Sequence, residues 1–365
     1  LLQSNLSGLP VKRGKVRDMY DLGDRLLMVS TDRISAFDYV LPVLVPFKGE
    51  VLNALSDWSM RQTADIVPNA LAYATAVDPN VSVQRRMRTL GVEAIVRGYV
   101  WGSMAGEVEK GAREYCGVEI AAGALRYQKL AAPIFTPTTK AEQGQHDEPM
   151  TYADVEALVG SELAAKMRAA SLALYARGVE LMAKRGLVLI DTKYEFGVDE
   201  RGELHVVDEV NTPDSSRMCD LEEYARKWPQ IEAEVRAAAA GTTVTEVLKR
   251  RPELKIGEFS KQYVRDALLE MGFDGKSVPR LTPDRRNEAR RFMTLVDALY
   301  ERRVVLFVLT DRPEHARWLP DDERAWLTDW FQEHDVAGEL REAARSLQMG
   351  KATSAEQSQA AAEEH

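Results

Sequence analysis

Residues 187–217 read LVLIDTKYEFGVDERGELHVVDEVNTPDSSR. The stretch packs Asp191, Lys193, Glu195, Asp208, Glu209, Asp214 and Arg217 into an apolar, strand-like setting. Charges are costly to bury without partners, so this density asks for a function. LVLIDTKYEF and ELHVVDEV predict two strands joined by a turn at Asp199-Glu200-Arg201-Gly202. Side chains alternate faces with period two, so Asp191, Lys193 and Glu195 share one face. If Val198 pairs with Glu203, then Glu195 faces Val206, Lys193 faces Asp208 and Asp191 faces Val210. Three carboxylates and a lysine then converge, in a way that depends on register. Oxygen ligands of this kind suit Mg²⁺, which keeps waters and substrate phosphates in its shell. His205, the nearest nitrogen ligand in the sequence, alternates to the opposite face on this register.

The chain around the hairpin has 365 residues, 45% hydrophobic and 29% charged, enough for two domains. A net charge of −9 argues against a general nucleic-acid binder, which would carry basic stripes. No apolar run approaches the roughly 18 residues of a membrane span. The start, LLQSNLSGLP, has no basic region followed by an apolar one, and it lacks an initiator Met. Two scattered cysteines, Cys116 and Cys219, point to a reduced, cytoplasmic protein.

The first 90 residues alternate short strand-like runs with turns, including RLLMVSTDR (25–33), and VLNALSDWSMRQTADI (51–66) has helical spacing. VEAIVRGYV (92–100) predicts a strand, and residues 101–150 read as loop-heavy. Thr151 with Asp154 three residues on predicts the cap of a helix or helix pair reaching Arg185. Helical patterns return at 228–241 and 259–271, and residues 284–303 and 318–335 also read as helical. The last residues, KATSAEQSQAAAEEH, lack large apolar side chains and read as a disordered tail.

A carboxylate–Mg²⁺ site calls for phosphates. The Walker A pattern is absent, and no GxGxxG opens a helix. RGKVRDMYDLGDRLLMV (13–29) instead sets Gly14, Lys15 and Arg17 between two strand-like pieces, as a flap over phosphates would. STDRISAFD (30–38) concentrates Ser35 and Asp38 with other polar groups, IVRGYVWGS (95–103) brings Arg97 and Ser103, and TPTTKAEQGQHDE (136–148) carries Lys140. Each segment alone reads equally well as an ordinary loop. Four of them beside one acidic hairpin form a pattern.

GKVRDMYD, STDRISAFD, VRGYVWGS, PIFTPTTKAEQGQHDE, LIDTKYEFG and DEVNTPDSSR, in this order, closely resemble the SAICAR synthetases, ligases of purine biosynthesis. The resemblance runs from about residue 12 to about 270 and includes SKQYVRDALLEMGF (260–273). It implies an α+β fold with a kinase-N-lobe-like first lobe (1–90) and an ATP-grasp-like catalytic lobe (91–275). A helical C-terminal extension (276–345) and the tail (346–365) would follow. It implies ATP and Mg²⁺ as cofactors. The small-molecule substrates would be CAIR (carboxyaminoimidazole ribotide) and L-aspartate, with no nucleic acid or membrane partner and a homo-oligomer left open. By the same resemblance Glu195 and Asp208 hold Mg²⁺ on the nucleotide, and Asp191 lies beside the second substrate or a second metal. Gly14, Lys15, Arg17, Lys140 and Lys193 attend ATP or the transferred group, Lys193 and Asp191 being the catalytic pair. Arg97, Ser103 and Arg217 take the CAIR phosphate, with Ser35 and Asp38 on the substrate side. The chain departs from the family at Met104-Ala105-Gly106, where an aromatic-rich stretch is usual, at Ala70, where His is usual, and over 229–258.

Two other readings differ in what they would keep. Another Mg²⁺–ATP phosphotransferase would retain Lys15, Glu195 and Asp208 but lack Arg97, Ser103 and Arg217. A nucleotide sensor without catalysis would have lost one of Asp191, Lys193, Glu195 or Asp208. All of these residues are present.

Overall fold

The computed structural model describes residues 1–6, 8–36, 39–45, 47–73, 78–140 and 147–260. Asp38, the expected C-terminal extension, the tail and nearly all of SKQYVRDALLEMGF lie outside them. The chain begins with β1 (Val11–Arg13), β2 (Arg17–Asp21), β3 (Arg25–Ser30), β4 (Arg33–Ala36) and β5 (Tyr39–Leu44). There follow α1 (Lys48–Gln62), β6 (Leu71–Tyr73) and β7 (Val81–Arg85). Five of these strands form an antiparallel sheet in the order β1-β2-β3-β7-β6, while β4 and β5 pair separately. Helix α1 starts earlier than its apolar spacing predicts. The Gly49 N–H donates to Asp32 Oδ1 at 3.0 Å, so a carboxylate from the preceding hairpin satisfies a first-turn donor.

The second half contributes β8 (Arg88–Tyr99), α2 (Gly102–Glu109), β9 (Glu114–Tyr115), β10 (Val118–Glu119), β11 (Lys129–Phe135), β12 (Thr138–Thr139), α3 (Tyr152–Val159) and α4 (Ser161–Ala183). It continues with β13 (Leu187–Val198), β14 (Leu204–Val207), β15 (Ser216–Asp220), α5 (Leu221–Ala237) and α6 (Val244–Arg250). The sheet runs β11-β8-β13-β14, with β12 added to β8 and β15 to β13. Segment 101–150 is therefore more structured than its composition predicts. β11 hides because it is an edge strand that contains Pro133 and shows little alternation. The predicted helix pair is present, and Thr151 and Asp154 form a reciprocal capping box at its start.

One face of this sheet is apolar. Val92, Ala94 and Val96 of β8 and Tyr194, Phe196 and Val198 of β13 pack on Met167, Leu174 and Tyr175 of α4. Each of the larger aliphatic and aromatic side chains contributes roughly 1.5–3 kcal/mol by leaving water, and Ala94 less. The alternate residues, Glu93 and Arg97 on β8 and Asp191, Lys193 and Glu195 on β13, must then point to the other face. The pairings Asp191↔Arg97, Lys193↔Ile95 and Glu195↔Glu93 place them side by side. A register shift between Leu189 and Asp191 lets Ile190, which belongs to a second apolar cluster, precede Asp191 without breaking this pattern.

The hairpin register differs by one residue from the expected one. Val198 pairs with Leu204 and Glu195 with Val207. The Asp199 carboxylate accepts the N–H groups of Arg201 and Glu203 at 2.9 and 2.8 Å, which draws Glu203 into the turn and lengthens it. His205 consequently falls opposite Gly197, on the Glu195 side, and not on the far face. Asp191 pairs with Arg217 of β15 and not with Val210.

Candidate active site

The charged face of β8 and β13 has two ends. At the β15 end, Asp191 Oδ2 accepts from Arg97 Nη1 at 2.9 Å and from Arg217 Nη1 at 2.8 Å. All three residues are largely buried. Arg97 Nε also donates to Thr136 Oγ1 at 3.0 Å, and its guanidinium lies 5.5 Å from the Tyr115 ring centroid. The Tyr115 hydroxyl bonds Ser103 Oγ at 2.8 Å at the start of α2. Gly102, at φ 56°, supports Arg217 by lacking a side chain, because a Cβ there would overlap the guanidinium. Burial lowers the Arg217 pKa, but Asp191 and Glu258 outweigh it and keep the group above its ordinary value. Two fixed guanidiniums sharing one carboxylate leave further N–H donors for an anion.

At the other end Glu93 and Glu195, directly opposite on adjacent strands, are both buried. Lys193 Nζ sits against Glu93 and 3.9 Å from Glu195, and Lys140 pairs with Glu195. Thr138 Oγ1 donates to Glu93 at 3.3 Å. Burial favours the neutral Lys193 amine, yet Glu93 and then Glu195 hold its pKa above the ordinary lysine value. Burial and the Asp208 charge push the Glu195 pKa up, against Lys140 and Lys193. Burial also acts to raise Asp208, but Arg17, Lys140 and Lys193 hold it below the usual range.

Asp208 reaches this end although it has left the strand. Its φ is 67°, a left-handed conformation. Its carboxylate pairs with Arg17, whose Nη2 also contacts Glu209 Oε2 at 2.8 Å. Burial lowers the Arg17 pKa, while Asp208, Glu209 and Asp214 more than reverse the effect. The first sheet thus delivers Arg17 to the second, and Lys48 of α1 makes a buried pair with Asp214 at 2.8 Å. The Gly14–Arg17 turn is closed by the Gly14 N–H donating to the Arg17 carbonyl at 2.7 Å, with Lys15 inside it. Ser35 is buried in β4.

Glu195 and Asp208 supply the hard oxygen donors that a divalent cation needs, and such a cation would offset the burial and the Asp208 charge that together raise Glu195. Among the described residues no three His, Cys, Asp or Glu side chains gather as a ligand cluster. Two carboxylates completed by phosphates and water are the pattern of Mg²⁺, so the residues fit that ion. Asp191, expected beside the second substrate or a second metal, lies between Arg97 and Arg217. Sequence reading missed Glu93 and Gln84. Glu93 was findable, because it alternates with Arg97 in VEAIVRGYV. Gln84 carried no signal, since its partner is the backbone of Asp208.

These elements define a mixed α/β protein whose working face sets a carboxylate–lysine cluster beside an arginine cluster. The SAICAR synthetase family model matches residues 10–235, and the chain belongs to this family. The phosphoribosylaminoimidazole-succinocarboxamide synthase of Thioalkalivibrio sulfidiphilus is 40% identical over 299 residues, covering 78% of this chain and 92% of that protein. Its namesake in Cupriavidus necator is 41% identical over 296 residues, covering 78% and 89%. The solved SAICAR-synthase from Saccharomyces cerevisiae complexed with SAICAR matches with a TM-score of 0.61 at 27% identity, over 81% of this chain and 96% of that one.

Proposed function

We propose that the face shared by β8 and β13 is where this ligase of purine biosynthesis joins L-aspartate to the carboxylate of CAIR, giving SAICAR, ADP and phosphate. A carboxylate is a poor acyl donor. Transfer of the γ-phosphoryl group of ATP to a CAIR carboxylate oxygen gives an acyl phosphate. The aspartate amine attacks its carbonyl carbon, loses a proton and expels phosphate. No enzyme nucleophile is required, so the residues act by positioning and by neutralising charge.

In this reading Arg97 and Arg217, oriented by Asp191, and Ser103 bind the CAIR phosphate. Lys193, held by Glu93, meets the transferring phosphoryl group, with Lys140, Lys15, Arg17 and the Gly14 turn on the nucleotide phosphates. Ser35 and Asp38 are assigned to the substrate side. Glu195 and Asp208 hold Mg²⁺, which when bound screens the phosphate charge during transfer. The first sheet serves as a kinase-N-lobe-like cover (1–90), and the second as an ATP-grasp-like catalytic lobe (91–275). Two free thiols, Cys116 and Cys219, support a cytoplasmic location. No helix among the described residues is long and apolar enough to cross a membrane.

The observation that carries this reading is the Arg217–Asp191–Arg97 cluster on the same strand face as Glu93, Lys193 and Glu195. An anion anchor thereby stands a few residues from a phosphoryl-transfer centre. A coupled assay of ADP release tests it. Release should require CAIR and run at full rate only with aspartate, and CAIR-independent release would exclude the ligase assignment.

A further inference from the structure

Arg33 belongs to none of the roles above, yet its guanidinium is buried against the turn between β1 and β2. Nε donates to the Lys15 carbonyl at 3.1 Å, and Nη2 donates to the Gly14 carbonyl at 3.1 Å and to Asp18 Oδ1 at 2.8 Å. Nη1 donates to the Leu2 carbonyl at 2.7 Å. Next to Gly14 and Lys15, the Val16 carbonyl accepts both the N–H and the hydroxyl of Thr31, at 3.0 and 2.8 Å. Three successive carbonyls of the turn are therefore drawn toward the Thr31–Arg33 segment.

A trans peptide points its N–H opposite to its carbonyl. With the Gly14 and Lys15 carbonyls turned to Arg33, the N–H groups of Lys15 and Val16 face the other way. A turn that showed its carbonyls to a phosphate would repel it, and one that shows N–H groups attracts it. We propose that Arg33 is a positioning residue for the nucleotide, fixing the Gly14–Arg17 turn with its N–H dipoles and Lys15 toward the phosphates. The inference rests on the reading that this turn covers those phosphates. Lysine cannot replace Arg33 fully, because one ammonium does not reproduce a planar fork on three carbonyls and a carboxylate.

The test compares Arg33→Met, Arg33→Lys and Lys15→Ala with the unaltered chain. It measures ADP affinity by calorimetry, KM for each substrate and thermal midpoint. Loss of the Arg33 bonds should weaken ADP binding and raise the ATP KM by about tenfold, with CAIR and aspartate KM nearly unchanged. Arg33→Lys should restore part of the loss. A general structural role would shift all three KM values together, and that result, or unchanged ADP affinity, overturns the proposal. If Arg33→Met does not fold, Arg33→Lys and Asp18→Asn decide it by the same selective loss on ATP. If Lys15→Ala leaves ADP binding intact, the turn itself is misassigned. If Lys15→Ala weakens ADP binding and the Arg33 variants do not, only the Arg33 inference fails.

Discussion

The side-chain amide of Gln84 closes on both backbone polar groups of Asp208. Nε2 donates to the Asp208 carbonyl at 3.0 Å, and the Asp208 N–H donates to Oε1 at 3.3 Å. Gln84 is on β7 of the first sheet, and Asp208 follows β14 of the second. A non-glycine residue held left-handed costs roughly 1–2 kcal/mol. Two hydrogen bonds at a net of about 0.5–1.5 kcal/mol each are of the size needed to offset that. The first sheet therefore fixes how a carboxylate of the second presents itself.

Gln84→Ala should leave the fold intact but release Asp208. The expected result is a fall in kcat of about tenfold and a higher Mg²⁺ requirement, on the scale of the two lost bonds. Titration of activity against Mg²⁺, with calorimetric binding of Mg²⁺–ADP alongside, checks both. Asp208→Asn, which removes the charge itself, should cripple turnover while leaving the fold intact.

The Lys48–Asp214 pair lies almost wholly out of water, with side-chain exposures of 0% and 3%. Lys48→Met strips the buried Asp214 carboxylate of this ammonium, and such a loss costs about 3–5 kcal/mol. Adding Asp214→Leu should recover much of that. Urea denaturation of the single and double variants measures the difference.

Asp191 holds two guanidiniums through one oxygen. In Asp191→Asn the two cations lose the carboxylate they share, while Glu258 remains beside Arg217, so stability should fall by about 3 kcal/mol and the CAIR KM should rise at least tenfold, roughly the effect of losing a charge-assisted contact. Inorganic phosphate should raise the thermal midpoint of this variant more than that of the parent chain, because an anion replaces the missing carboxylate.

Burial acts to raise the Asp18 pKa, but hydrogen bonds from Arg33 and Ser4 reverse this and leave it below the ordinary value of 3.8. A carboxylate depressed in the folded state contributes stability that is complete above its unfolded pKa and is lost as pH falls through the folded one. Stability should therefore decline below about pH 4, and Asp18→Asn should flatten that part of the curve while lowering the plateau. Thermal midpoints measured from pH 6 downward test the sign.

Much of this was legible in the sequence where one period rules. Alternation alone put Asp191, Lys193 and Glu195 on one face, and the Thr151–Asp154 spacing marked a helix start. The hairpin register was not legible, because it turns on Asp199 capturing the Glu203 N–H, a choice between two turns of nearly equal sequence merit. The face of Glu93 was legible from its alternation with Arg97, but its pairing with Lys193, 100 residues away, was not. Gln84 and Arg33 act on backbone groups, which no side-chain pattern reveals.

The acyl-phosphate path through this face is tested most directly by oxygen transfer. CAIR labelled with ¹⁸O in its carboxylate is turned over with ATP and aspartate, and the phosphate released is analysed by mass spectrometry. One labelled oxygen should appear in the inorganic phosphate for each SAICAR formed, because the carboxylate oxygen that accepts the phosphoryl group leaves with it. Phosphate free of label, with SAICAR still produced, would contradict the account.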